Sequence, residues 1–403
     1  MKTWTLLLTI TALLAVTTTA QAEDPDNILL RIRTENAKRL QKQDPDIAAI
    51  IKARADIAKA GVKDIDAAKV QLEKGLSWAQ VYFFAEQYED SITAARRFLT
   101  SFPTPEEAFE AQQVILDSSL RLGDAKELVA TLAKIKPPSP GMAAHIAQMT
   151  GSELAITVAA KLGEQAGLDL LAKAEALVPF DKLTAGSDRV MADQTRLSVA
   201  AGRAELLHGA GKHTEALAAL KAVREKLSEG SPVARLLDSK LKQAALVGNA
   251  APALTRERGY GDFAGLESLK GKVVLLDFTA HWWPFCKRGY PAIRMLYDEL
   301  KGKGLEVVSV TGYYGFFKDE RGITKDEEFT KLADHVKEFN ISWPLVVGPR
   351  ANAETYGVLD VPHYVVLGRD GKVISHTVGF STDQFHRLRA TVEKALAQQP
   401  APK

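Results

Sequence analysis

The residue pattern changes near position 248, and this change limits most strongly how the chain can fold. Residues 23–247 are rich in Ala, Leu, Lys, Glu and Gln, with apolar residues at helical spacing and few β-branched clusters. After the segment 248–252 (GNAAP), short β-rich runs alternate with stretches of helical pattern. We therefore predict an all-helical domain over 23–247, with a Pro-rich linker near 136–141, then an α/β domain over 248–397 and a flexible tail over 398–403.

The order of elements after residue 248 predicts a mixed sheet covered by helices. The apolar runs 272–278 (KVVLLDF) and 305–310 (LEVVSV) predict two buried strands. A short strand is predicted at 343–347, and β-rich runs at 363–367 and 372–375 flank an Asp-Gly turn, which is typical of a β-hairpin. The long segment between the second strand and the next helix carries no predicted element. Helices are predicted at 290–300, 326–339 and 383–397.

One segment of the helical region, residues 78–99, resembles a tetratricopeptide unit. Trp78 opens the segment, and Ala94 and Phe98 hold the small and aromatic packing positions of that repeat. Residues 200–223 contain a similar turn between two helices, although the two segments are not separated by a multiple of the repeat period. A tetratricopeptide-like domain and an irregular helical bundle both remain open as interpretations.

The first 22 residues have the features of a secretory signal peptide. Lys2 precedes an apolar run from Trp4 to Val16, and small residues lead to a predicted cleavage site after Ala22. The apolar run is shorter than the ~20 residues that span a bilayer, which argues against the alternative, a membrane anchor. We therefore expect a periplasmic or secreted protein without a membrane span after signal cleavage.

Composition excludes several classes of protein. The chain has one cysteine, so it can form neither an intramolecular disulfide framework nor a zinc site built from several thiolates. Lys and Arg number 52 against 50 Asp and Glu, and no basic stripe marks a nucleic-acid surface. We expect no nucleic-acid partner, no metal site and no cofactor.

The run 271–287 (GKVVLLDFTAHWWPFCK) resembles the core of a thioredoxin-fold domain of the secreted redoxin type, the TlpA-like and ResA-like family. That family has the pattern GK-V-V-L-x-F-W-A-x-W-C-P-x-C-R at this place. Three further segments match in the same order: the lead-in at 248–252, Val361-Pro362 at the family's cis-proline, and the turn at 368–371 (GRDG). The resemblance implies an α/β thioredoxin fold for the C-terminal domain and membership of a thiol-disulfide oxidoreductase family.

The same alignment of motifs shows what the chain lacks. Members of the family carry two cysteines: the first is exposed at a helix N-terminus and attacks the substrate, and the second resolves the mixed disulfide. Here Trp283 holds the first position, and Cys286 holds the resolving position. A peroxidase with one cysteine would need Thr three residues before it, where this chain has Trp283. We therefore expect no ordinary thioredoxin-type turnover.

Three residues are candidates for catalysis: Cys286, Asp277 and His281. Cys286 is either a small buried core residue or a slow redox sensor or mixed-disulfide trap, assisted by His281 as a nearby base. Asp277 matches the buried carboxylate that this fold places beneath the cysteines as a proton acceptor. Its alternative role is that of a hydrogen-bonded strand residue.

Four residues are candidates for substrate binding: Trp283, Phe285, Val361 and Pro362. The family's groove pairs with an extended peptide through backbone groups of the residue before the cis-proline, here Val361, and this pairing needs no cysteine. Trp282 matches a packing residue of the family, whereas the position of Trp283 faces solvent. The indole of Trp283 would therefore either anchor a partner or fold over and fill the vacant site.

Two functions follow from these residues. We favour a non-cycling binding or chaperone-like module that recognises an extended polypeptide. The alternative is a thiol-redox protein of the TlpA-like oxidoreductase kind, in which Cys286 works with the thiol of a redox partner protein. Because the dithiol motif is incomplete, the sequence leaves open whether the protein is an enzyme.

Overall fold

A computed structural model of the chain describes residues 23–41, 47–227 and 229–398. The predicted signal peptide, residues 1–22, and positions 399–403 of the predicted tail lie outside these ranges. The chain divides into two compact units, which meet in sequence between Pro138 and Ser139. The predicted domain boundary near residue 248 stays a prediction. None of the described helices is long and apolar enough to cross a membrane.

The described part of the first unit consists mainly of helices. They are α1 (Pro25–Leu40), α2 (Ile47–Gly61), α3 (Gly75–Phe84), α4 (Tyr88–Phe98), α5 (Pro105–Leu122) and α6 (Ala125–Leu132). Trp78, Ala94 and Phe98 are buried in the core that α3 and α4 share. The tetratricopeptide resemblance of this segment stays a prediction.

The second unit begins with a further helical group. Its members are α7 (Pro140–Met149), α8 (Ala155–Leu162), α9 (Glu164–Ala176), α10 (Gly186–Gly209), α11 (His213–Arg224) and α12 (Ala234–Leu246). A π-helical turn, Thr150–Leu154, joins α7 to α8. Gly202 of α10 allows this turn to approach closely, because a Cβ there would lie 2.2 Å from the carbonyl oxygen of Gly151.

The rest of the second unit is built on a mixed sheet. Its strands are β1 (Arg258–Tyr260), β2 (Val273–Phe278), β3 (Leu305–Thr311), β4 (Phe316–Phe317), β5 (Glu320–Arg321), β6 (Leu345–Val347), β7 (His363–Leu367) and β8 (Val373–Val378). The main sheet has the order β1-β6-β3-β2-β7-β8, while β4 and β5 form a separate small hairpin. The pairs β2–β3 and β3–β6 are parallel, and the other pairs are antiparallel. The predicted α/β thioredoxin fold is confirmed for this region.

Helices cover the central strands on both faces, which explains why β2 is apolar throughout. The helices of this region are α13 (Pro284–Leu300), α14 (Lys325–Glu338), α15 (Ala351–Thr355) and α16 (Thr382–Ala397). Val273 and Leu275 share a core with residues of α13 and α16. Val274 and Leu276 point to the opposite face, where they share a core with Val247, just after α12. Since side chains alternate along a strand, Asp277 lies on the face of α13.

Two side chains of α12 fix the helical group to the loop after α15. The Ser239 hydroxyl donates a 2.6 Å hydrogen bond to the carbonyl oxygen of Gly357, and the Gln243 amide donates one of 2.8 Å to the same oxygen. Gly357 has a φ of +67°, and a Cβ there would lie 2.8 Å from the Ser239 carbonyl oxygen. Only glycine fits this close approach without strain.

Several short elements differ from the prediction. The structure adds β1, α15 and the β4–β5 hairpin, which falls in the segment predicted without elements. Helix α13 begins at Pro284 rather than at residue 290 and continues through Pro291. Pro284 occupies the first turn, where a missing N–H costs no helical hydrogen bond.

Candidate functional site

The candidate site lies at the carboxyl end of β2. The loop 279–283 leads from this strand into α13, and Phe278 at the strand's end pairs with His363 of β7. This register places Val361 and Pro362 beside the same loop, and the Val361–Pro362 peptide bond is cis. The fold therefore brings the candidate binding residues to the edge of the sheet where open α/β proteins bind their ligands.

Trp283 is the N-cap residue of α13. Its backbone N–H donates a 3.2 Å hydrogen bond to the Ala280 carbonyl oxygen, and its own carbonyl accepts one of 3.2 Å from Lys287. The side chain is 36% exposed, and its ring centroid lies 5.4 Å from that of Trp282 and 5.5 Å from that of Phe285. The indole thus stands at the position that the family resemblance assigns to the attacking cysteine.

Cys286 lies one turn further along α13 and is only 2% exposed. Burial raises the pKa of the thiol to about 12, and the nearby Asp277 carboxylate adds to the rise. Hydrogen bonds from Thr279 and the Ala280 backbone oppose the shift without cancelling it. At neutral pH the thiol is therefore protonated and covered, and both conditions reduce its reactivity.

Asp277 is buried beneath the helix and is held by a short chain of hydrogen bonds. The Ser309 hydroxyl donates to its Oδ2 at 2.8 Å, and the Trp343 indole N–H donates to the Ser309 Oγ at 2.9 Å. Burial raises the pKa of Asp277 to about 7, although the Ser309 bond opposes this. The carboxyl group can therefore gain or lose a proton near neutral pH.

His281 is buried and faces a carboxylate rather than solvent. Its Nε2 lies 3.3 Å from Oε1 of Glu328, and its ring stacks on Phe317 with centroids 5.2 Å apart. Burial lowers the pKa of His281, and the Glu328 charge opposes this effect. The predicted role of His281 as a base for Cys286 stays a prediction, since the contact that holds its Nε2 is with Glu328.

Glu328 is a site residue that the sequence analysis missed. Its carboxylate is fully buried and accepts hydrogen bonds from the backbone N–H groups of Tyr314, at 2.9 and 3.0 Å, and Gly315, at 2.8 Å. It thereby fixes the loop after β3 against His281. A polar residue in a polar helix gives no local signal of such burial, because the loop that it binds is distant in sequence.

A second buried chain of polar groups runs from the loop 279–283 into the domain. The Thr279 Oγ1 and the Tyr290 Oη lie 2.7 Å apart, and the Tyr290 Oη lies 3.2 Å from Nε2 of His335. Burial lowers the pKa of His335 to about 3, so its ring is neutral at ordinary pH. Neither Thr279 nor His335 could be identified from the sequence, because the contacts that link them through Tyr290 depend on how α13 packs against α14.

Five aromatic side chains form a continuous surface around the start of α13, which we call the aromatic surface. Its members are Trp282, Trp283, Phe285, Tyr314 and Phe316. Trp282 is 38% exposed, Phe285 42% and Tyr314 38%, so the expectation that Trp282 packs in the core is wrong. The Trp282 ring centroid lies 5.7 Å from that of Tyr314 and 6.1 Å from that of Phe316. The loop after β3 and the β4–β5 hairpin thus contribute Tyr314 and Phe316 to the same surface as Trp283 and Phe285.

Val361 leaves its backbone available beside this surface. Within the described part of the chain, neither its N–H nor its carbonyl forms a hydrogen bond, whereas the next carbonyl, that of Pro362, accepts one of 2.8 Å from Gly379. A free N–H and carbonyl at the end of a sheet can pair with an extended peptide.

Among the described residues, no group of three or more His, Cys, Asp or Glu side chains is placed to hold a metal ion.

The C-terminal part of the chain is similar to known proteins. The redoxin family model matches residues 246–396. The chain is 27% identical to the thiol-disulfide oxidoreductase ResA of Bacillus thuringiensis subsp. konkukian over 139 residues, which cover 34% of this chain and 73% of the relative. It is also 27% identical to ResA of Bacillus subtilis over 147 residues, which cover 36% of this chain and 74% of the relative.

A solved structure is similar over the same part of the chain. It is described as a putative thiol:disulfide interchange protein DsbE from Chlorobium tepidum, with 24% identity and a TM-score of 0.33, and the similarity covers 38% of this chain and 98% of that one. The strands of the sheet and Cys286 all lie within residues 246–396, the range that the redoxin family model matches. The C-terminal part of this chain, over residues 246–396, thus matches the redoxin family model and is similar to thiol-disulfide oxidoreductases of the ResA type.

Proposed function

We propose that the redoxin domain binds an extended segment of a partner protein and does not cycle between a dithiol and a disulfide. The observation that carries this proposal is the replacement of the attacking cysteine by the exposed Trp283 while Cys286 is enclosed. In a binding or chaperone-like role, the protein uses the groove of the fold to hold a polypeptide segment but carries out no redox step. We further propose that the protein acts in the periplasm or outside the cell, as the predicted signal peptide implies.

Disulfide chemistry needs a thiolate that a substrate can reach. With its pKa raised to about 12, the Cys286 thiol is almost entirely protonated at pH 7. The chain also has no second cysteine to resolve a mixed disulfide or to store the two electrons of a dithiol. A catalytic cycle of the ordinary kind therefore lacks both its first step and its last.

Binding, in contrast, needs only the groups that the site exposes. The free N–H and carbonyl of Val361 offer hydrogen bonds to one edge of an extended backbone. The indole of Trp283 and the ring of Phe285 offer apolar contacts next to it. Large aromatic side chains at the centre of a contact supply much of the binding free energy in protein complexes.

A second candidate function is thiol exchange through Cys286, which the similarity to the thiol-disulfide oxidoreductase ResA favours. In this scheme the Cys286 thiolate attacks a partner's disulfide, one S–S bond breaks as the mixed disulfide forms, and the partner's other sulfur leaves as a thiolate. The partner's own thiol would then have to release Cys286. Because the Cys286 side chain is only 2% exposed, this scheme requires α13 to move before a partner can reach the thiol.

Thiol labelling of the mature protein separates the two functions. We expect native Cys286 to react with a maleimide far more slowly than after unfolding in guanidinium, from pH 6 to 9. We also expect the wild type and Cys286→Ser to be equally inactive in insulin reduction with dithiothreitol. Rapid labelling with an apparent pKa well below the ~8.5 of a free thiol would favour the second candidate instead.

Binding itself is tested with an unfolded, cysteine-free polypeptide of near-zero net charge. We expect Trp283→Ala to weaken its binding at least several-fold, whereas Trp283→Phe, which keeps an aromatic ring, retains most of it. Equal binding by the wild type and Trp283→Ala would contradict the proposed site. Circular dichroism of each variant confirms that the fold is kept.

A further inference from the structure

Positive charges border the aromatic surface. Arg288 stacks over the Phe285 ring, with its Cζ 4.1 Å from the centroid, and Arg321 stacks in the same way over Phe316 at 4.1 Å. Lys287 precedes Arg288 on α13, and its charge contributes to the lowered pKa of His281. In the described part of the chain, none of these three cations forms an ion pair with a carboxylate.

Several other cations of the same domain do form ion pairs with carboxylates. Lys301 pairs with Asp298 at 2.6 Å, Arg389 pairs with Glu299 at 2.5 Å, and Lys331 pairs with Glu320 at 2.7 Å. The first turn of α13 contains no acidic residue, and an indole at the N-cap cannot accept a backbone N–H. The positive end of this helix therefore adds to the unbalanced charge at the aromatic surface.

The carboxylates near the surface do not balance it. Glu328 lies beneath the surface but is fully buried, and its oxygens are taken by backbone N–H groups and by His281. Asp319, on the β4–β5 turn, and Asp360, before Val361, are exposed but form no ion pair with Lys287, Arg288 or Arg321. A ligand that approaches the exposed rings therefore meets guanidinium groups held in place by those rings.

We propose that the aromatic surface, with Lys287, Arg288 and Arg321, selects an acidic segment of a partner protein that also carries apolar side chains. The proposal rests on the proposed binding function and specifies the chemistry of its partner. Carboxylates accept paired hydrogen bonds from a guanidinium, and apolar side chains of the same segment cover the indoles. A basic segment is disfavoured, because it would place like charges against Arg288 and Arg321.

Three matched peptides test this inference on the mature protein by isothermal titration calorimetry. All alternate the same Leu and Phe residues with a variable residue, which is Glu in the first peptide, Gln in the second and Lys in the third. We expect the Glu peptide to bind about 10-fold more tightly than the Gln peptide at low salt, and the difference to shrink as ionic strength rises. The Lys peptide should bind most weakly.

Variants of the two arginines identify the source of the preference. The double variant Arg288→Ala/Arg321→Ala should bind the Glu and Gln peptides with similar affinity. Lys301→Ala is a matched control, because it removes a cation that lies 5.5 Å from the Tyr297 ring centroid at the other end of α13. This control should keep the full preference for Glu.

The outcomes separate this inference from the function on which it rests. Equal binding of the Glu and Gln peptides, or tighter binding of the Lys peptide, overturns the acidic partner. If that binding is still lost in Trp283→Ala, the proposed binding function stands. If no peptide binds the wild type, the proposed function and this inference fail together.

Discussion

Asp277 and Ser309 face each other directly across the β2–β3 pair, and the Ser309 hydroxyl donates a 2.8 Å hydrogen bond to the Asp277 carboxyl group. This contact is the principal polar support that a buried acid receives beneath Cys286. It does not compensate for lost hydration, since the pKa of Asp277 is raised to about 7. The folded protein therefore holds a proton here that the unfolded chain releases near pH 4.

The first prediction concerns how this acid couples stability to pH. Because the folded pKa lies above the unfolded one, the contribution of the neutral carboxyl group is fully present below about pH 4 and is lost as pH rises through 7. Asp277→Asn should therefore gain stability relative to the wild type as pH rises, by about 1.4 kcal/mol per pH unit between 4 and 7 at most. Urea unfolding of both proteins at pH 5 and pH 8 measures this, and parallel pH profiles would contradict it.

The second prediction concerns two histidines on the other face of the sheet. His363 Nε2 and His376 Nδ1 lie 3.0 Å apart. Burial lowers the pKa of His376 to about 3 and that of His363 well below its usual value. Folded pKa values below the unfolded value mean that stability is present above about pH 6.5 and is lost as pH falls.

His376→Gln should therefore lose less stability between pH 7 and pH 4.5 than the wild type does. His386→Gln, which changes an exposed histidine of α16, serves as the control and should follow the wild type. Chemical unfolding across this pH range gives the comparison. If both variants follow the wild type, protonation of this pair does not contribute to acid sensitivity.

The third prediction restores the missing cysteine. Trp283→Cys places a thiol at the exposed N-cap of α13, where the helix N-terminus favours a thiolate, three residues before Cys286. We expect this variant to form an intramolecular disulfide and to catalyse insulin reduction by dithiothreitol. Trp283→Ser, which makes the site equally open but adds no sulfur, should remain inactive; activity in the serine variant would show that the reaction needs no thiol at this position.

The fourth prediction concerns Glu328. Its carboxylate is fully buried, accepts backbone hydrogen bonds from Tyr314 and Gly315 and faces His281. Glu328→Ala should lower the free energy of unfolding by about 3 kcal/mol, because it leaves buried donors without an acceptor. Asp334→Ala, an exposed change on the same helix, should cost about 0.5 kcal/mol or less. A small effect at Glu328 would indicate that the loop after β3 is held by its aromatic contacts instead.

The strands of the sheet can be predicted from the sequence more fully than the contacts of the site, for a physical reason. A strand buried on both faces is a continuous apolar run, so β2 and β3 could be recognised from their residues alone. The two-residue strands β4 and β5 are too short to show any periodicity, and they were missed. A strand or helix can be recognised from sequence when its pattern of buried and exposed side chains extends over several residues.

At the site, one feature can be predicted from the sequence and the side-chain contacts cannot. The replacement of the first cysteine by Trp283 could be detected by position, because the surrounding motif fixes the alignment. The partners of His281 and Thr279, which are Glu328 and Tyr290, depend on how distant elements pack, and no local pattern encodes such pairs. Exposure of Trp282 was missed for the same reason, since the hairpin that shapes its surroundings was not predicted.

The exposure of two adjacent indoles also gives the protein an internal optical reporter. In the described part of the chain, Trp78 and Trp343 are buried, whereas Trp282 and Trp283 face solvent side by side. Their emission should therefore lie at longer wavelength than that of the buried pair, and iodide should quench it selectively. Anything that covers the start of α13 would shift this emission to the blue and protect it from the quencher, so occupancy of the surface can be followed without attaching a label.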